Sequence, residues 1–60
     1  MSNHDQLIAL FRTYEQENQK FEEKKIKASA ARARKALADI AKLCKVRRLE
    51  IQEEKNEMDK

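Results

Sequence analysis

Few side chains in this sequence could carry out covalent or acid–base chemistry. One histidine and one cysteine are all it offers near neutral pH. His4 lies in a polar stretch, MSNHDQ, far along the chain from Cys44, so no His/Cys cluster with metal-ligand spacing exists. A lone thiol cannot close an internal disulfide, and it fits a reducing compartment. Cys44 falls on an apolar stripe, where a thiol is buried and inert. The alternative is a disulfide across a symmetric dimer axis. The carboxylates are scattered along helix surfaces without a cleft that would raise a pKa. The expectation is a non-enzymatic protein without metal or cofactor.

Binding chemistry is better represented. Residues 1–23 carry a net charge of −3, residues 24–48 a net +9, and residues 49–60 a net −3, so the overall +3 hides a concentrated basic block. Its candidate phosphate contacts are Lys24, Lys25, Lys27, Arg32, Arg34, Lys35, Lys42, Lys45 and Arg48. Arg32, Lys35 and Lys42 are expected to point away from the apolar stripe, and Arg34, Lys45 and Arg48 to flank it. A cationic stripe along a helix can follow a polyanion. Neutralising about six phosphates gives a log–log salt slope near −5. All three aromatics lie in the apolar stripe of the first segment, so base stacking is not expected. Contacts would be to the DNA backbone and would not read sequence. The competing reading is that acidic residues such as Glu17 or Glu22 absorb this charge from a neighbouring arm.

The elements that must present these charges are helices. The chain has no Gly and no Pro, and 42% of its residues are charged. Ala, Lys, Glu, Arg, Gln and Leu, the better helix formers, supply much of the rest. In the first segment Leu7, Tyr14 and Phe21 recur every seven residues, with Leu10 and Phe11 between them. Ser2 or Asn3 can cap its start, and Asp5 suits its first turn. In the second segment Ala30, Ala33, Leu37, Ile40, Cys44, Arg47 and Ile51 are spaced alternately three and four apart, a heptad seam. The two stripes are out of phase by two residues, which is neither a stutter nor a stammer. The phase slip predicts a break near residues 25–29, with Ser29 as a cap for the second helix. The predicted architecture is all-α: one domain over residues 1–60 forming an antiparallel, coiled-coil-like helical hairpin. Its helices cover about 3–24 and 29–57, and the longer second arm overhangs. The alternative is one continuous helix about 85–90 Å long in a coiled coil.

A chain of this length buries only about 60% of its unfolded surface, so association is expected. Leu7, Leu10, Phe11, Tyr14, Phe21, Ala33, Leu37, Ile40, Cys44 and Ile51 are the expected packing and dimer-interface residues. Val46 and Leu49 lie opposite the main seam and read as a second contact between protomers. Arg47 is an unusual seam residue that could snorkel from a core. The crowded alanines from Ala28 to Ala41 fit helix propensity and close approach near the bend. No run of about 18 apolar residues occurs, and the start lacks a signal-peptide layout, so an intracellular protein without membrane contact is expected.

The stretch Glu23–Ile51, EKKIKASAARARKALADIAKLCKVRRLEI, resembles the linker-histone-like DNA-binding proteins of chlamydiae and Bacteroidetes. RARKAL at 32–37 carries most of the likeness, followed by Ile40, Leu43, Arg48 and Ile51 at matching spacing. The start Glu23–Ala28 also fits. The resemblance implies a short helical protein of the cytoplasm and nucleoid that binds double-stranded DNA without strong sequence preference and compacts it. It marks Arg32, Arg34, Lys35 and Arg48 as phosphate contacts. Two departures stand out. Members often carry Gly-Asn at the turn, where this chain has Lys25-Ile26. Chlamydial members also add a long Lys/Ala-rich tail not found in these sixty residues, so bridging two duplexes would need an oligomer. The non-DNA alternative is a coiled-coil assembly module whose charges set register.

Overall fold

The computed structural model describes residues 2–58. Two helices account for nearly all of them: α1, Asn3–Lys24, and α2, Lys27–Met58. Ser2 starts α1 as its N-cap. Its hydroxyl oxygen accepts the Asp5 backbone N–H at 3.1 Å while the hydroxyl donates to the Asp5 carboxylate at 2.9 Å. That reciprocal pair satisfies an orphan donor of the first turn.

The helix ends at Lys25, which takes the left-handed conformation (φ 53°, ψ 40°) and donates its N–H to the Phe21 carbonyl at 2.8 Å. A glycine would reach this geometry freely, whereas a lysine has a Cβ that crowds the following carbonyl. The Ile26 carbonyl then accepts the N–H groups of Ser29 and Ala30 and starts α2. The break thus spans only Lys25 and Ile26. Ser29 does not cap α2, contrary to expectation. It lies within the helix at 1% exposure, with its hydroxyl unpaired.

The arms pack antiparallel into a hairpin measuring 53 × 17 × 14 Å. The side chains of α1 at least partly shielded from solvent include Leu7, Leu10, Tyr14, Glu17 and Phe21, spaced alternately three and four apart. On α2 the matching row is Ser29, Ala33, Ala36, Ile40, Leu43, Arg47 and Glu50. This row shares Ala33, Ile40 and Arg47 with the seam read from sequence. Its other members lie one residue earlier than expected: Ser29, Ala36, Leu43 and Glu50 replace Ala30, Leu37, Cys44 and Ile51. The two-residue turn explains the shift. It forces the helix axes together at the bend, and Ser29, Ala33 and Ala36 are small enough to allow that approach. A leucine facing α1 there would hold the arms apart. Consequently Leu37 (47% exposed), Ile51 (51%) and Phe11 (53%) do not face the partner arm. Cys44 is exposed as well, not buried.

The open end closes with polar groups. Asn3 donates to the Glu50 carboxylate at 3.1 Å, and Arg47 holds the same carboxylate at 3.4 Å while reaching Glu54 at 4.0 Å. Arg47 thus keeps its stem on the seam and its charge among acids. Beyond Glu50, α2 continues without a facing arm, and residues 51–58 are all exposed.

Candidate nucleic-acid interface

Rotating the seam by one residue changes which charges are free. Arg32 was expected to point away from the stripe. Instead it turns toward α1, where its guanidinium lies 3.7 Å from the Glu17 carboxylate. Glu17 is largely buried and also has Lys20 at 3.8 Å. Near the turn, Lys25 sits 3.7 Å from Glu22 and places its ammonium 5.4 Å from the Phe21 ring centre. These two cations, of the nine candidates, are matched within the chain.

The other seven stand free. Lys24, Lys27, Arg34, Lys35, Lys42, Lys45 and Arg48 are all exposed, and none has a carboxylate within 4.0 Å among the described residues. Arg34, Lys45 and Arg48 share the surface of α2 turned away from α1, whereas Lys35 and Lys42, expected to point away as well, flank the groove between the helices beside Leu10 and Thr13 of α1. From Arg34 to Arg48 they cover about 21 Å of helix. Lys24 and Lys27 extend the positive surface to the turn. The charge pattern of the sequence explains the lack of partners: Asp39 is the one carboxylate between Lys24 and Arg48, so a cation on the outer face has almost no acid one turn away.

Ala31, Ala38 and Ala41 are exposed on the same side of α2. Sequence reasoning assigned the alanines to helix propensity and to the bend. Here these three lie exposed among the cations and leave the helix backbone between the long side chains uncovered. Their placement among cations rather than near the bend was the available signal.

A shallow, largely apolar groove runs beside the seam, lined among others by Leu10 and Thr13 of α1 and by Asp39, Lys42, Leu43 and Val46 of α2. Along the opposite edge of the hairpin lie Phe11, Leu37, Cys44 and Ile51. His4 is exposed at the start of α1. Among the described residues, no three His, Cys, Asp or Glu side chains gather as metal ligands, and no helix is long and apolar enough to cross a membrane.

A helical hairpin whose outer surface is cationic and whose acids lie mostly outside the basic block defines a class: small, basic, all-helical proteins. Comparison with protein families places it within that class. The family model described as Histone H1-like protein Hc1 matches residues 1–57, and the chain belongs to that family. Searches of curated proteins and of solved structures returned no match.

Proposed function

We propose that this protein binds double-stranded DNA without sequence preference and compacts or bridges it in the bacterial nucleoid. The observation that carries the reading is the set of exposed cations on α2 that no carboxylate among the described residues neutralises. Family membership supports it, since histone H1-like proteins act on DNA as structural components and not as catalysts. The aromatic residues of α1 take no part in that surface. Phosphate contacts therefore supply the affinity, and the interface positions DNA without reading bases.

Compaction needs more than one duplex per particle. The apolar edge formed by Phe11, Leu37, Cys44 and Ile51 supplies a route, because packing against a second copy would remove these exposed side chains from water. A pair of hairpins then displays two cationic surfaces. The competing reading, an assembly module with no nucleic-acid partner, draws on the matched pairs of Arg32 and Arg47.

Gel retardation of a random-sequence duplex separates the two readings. Binding is expected at about 50 mM salt with a log–log salt slope between about −4 and −6. Substituting Arg34, Lys45 and Arg48 together by Gln should make that slope shallower by about 3. Arg32→Gln should change it less, because that guanidinium already faces Glu17. Absence of retardation at low salt would leave the assembly module as the reading.

A further inference from the structure

A third stripe on α2 belongs neither to the seam nor to the Phe11–Ile51 edge. Lys42, Val46, Leu49 and Glu53 follow one another at intervals of four, three and four residues, so they form a single row along the helix. Val46 is 45% exposed and Leu49 65%. Neither Lys42 nor Glu53 has an ion partner among the described residues. Read from either end, this row is its own complement: charge, apolar, apolar, opposite charge.

We propose that two copies pair antiparallel through this row, about a two-fold axis passing between Val46 and Leu49. Each Lys42 then meets Glu53 of the other copy, and each Val46 meets Leu49. A self-complementary patch of this kind generates a closed two-fold contact. The first copy cannot use the row on itself. α2 is one unbroken helix from Lys27 to Met58, so Glu53 stays about 16 Å from Lys42 along the axis. The groove between Leu10, Leu43 and Val46 adjoins the row and offers room for the partner's leucine.

The geometry has a consequence for the cationic surface, and this part rests on the proposed DNA reading. A two-fold axis perpendicular to the paired helices keeps like edges together. Both α1 arms fall on one side, and Lys45 of both copies come together on the other, with Arg48 farther out on the same side. The two Lys45 ammonium groups next to the axis repel one another in the free protein and, with the Arg48 pair beyond them, suit a phosphate backbone. A contact of about three helical turns is also small for a stable interface. Pairing is therefore weak alone, and DNA strengthens it, because a ligand that prefers the paired form shifts the equilibrium toward it.

Charge exchange tests the contact. Sedimentation over a concentration series, without DNA, compares the protein with Lys42→Glu, with Glu53→Lys and with the double exchange. Each single exchange places like charges together twice per pair, and the association constant should drop at least tenfold. The double exchange should recover it at unchanged helicity. Neither residue lies on the Phe11–Ile51 edge, so packing there moves none of these differences. Single exchanges that associate like the parent protein would overturn the proposal, as would a helical double exchange that stays weak. Adding a short random-sequence duplex to the parent protein should raise its association. If the exchanges behave as stated but the duplex has no effect, the contact stands and the DNA reading does not.

Discussion

Lys25 shows how one residue sets the bend. Its left-handed backbone is uncommon for a side chain with a Cβ and costs about 1 kcal/mol. Lys25→Gly should raise stability by about 0.5–1 kcal/mol, partly offset by the greater freedom of glycine in the unfolded chain. Thermal unfolding should show a gain of a few degrees for a chain of this size. Ser29 gives the complementary case. Its buried hydroxyl lacks a hydrogen-bond partner, so Ser29→Ala should be neutral or stabilising by up to about 1 kcal/mol in denaturant titrations. A loss above about 1 kcal/mol would mean that the hydroxyl is satisfied in solution. At this scale the sequence was only partly legible. A cap at Ser2 or Asn3 and a first-turn acid at Asp5 could be recognised because their partners are local, and Ser2 is the one that caps. The role of Ser29 could not, because its environment is made by a different helix.

For the elements, the period of the apolar pattern announced two helices and the slip between their phases announced a hairpin. The rotational setting of α2 was less legible. Two adjacent rows, one through Ala36 and Leu43 and the other through Leu37 and Cys44, are both compatible with a heptad, and the larger side chains favoured the second. The tight turn decides for the first, since proximity of the axes matters more there than the area of any one side chain. That rotation brought Arg32, still exposed, within reach of Glu17 and left Cys44 exposed, so the list of free cations could not be completed from spacing alone. The outer surface of α2 offers a clean test. Ala38→Glu with Ala41→Glu inserts two carboxylates among the cations while keeping good helix formers on an exposed surface. DNA affinity at low salt should fall more than tenfold, with the circular dichroism spectrum unchanged. Equal loss of helicity would assign the effect to folding.

In the whole molecule, little of the apolar material is fully enclosed. Only Ala33 and Ala36 are buried apolar residues among those described, while Phe11, Leu37, Leu49 and Ile51 each expose about half of their surface or more. A hairpin so thin has a marginal core, and stability should depend on association. Its melting temperature is accordingly expected to rise with protein concentration. Leu37→Glu with Ile51→Glu should abolish part of that dependence and lower the sedimenting mass. A melting temperature independent of concentration would mean that the hairpin stands alone. Chain length raises the expectation of association from sequence. Which apolar edge is left exposed was not legible, because that depends on the rotation of α2.

The short bend also bears on how firmly each arm belongs to its own chain. If Lys25 and Ile26 straighten into helix, the left-handed residue disappears and the two arms become one rod. Two such rods side by side can restore every interhelical contact by exchanging first arms. Short hinges under strain favour such swaps. Concentrated solutions should therefore accumulate, slowly, a swapped species of twice the mass, and Lys25→Gly should suppress it by relaxing the hinge in place.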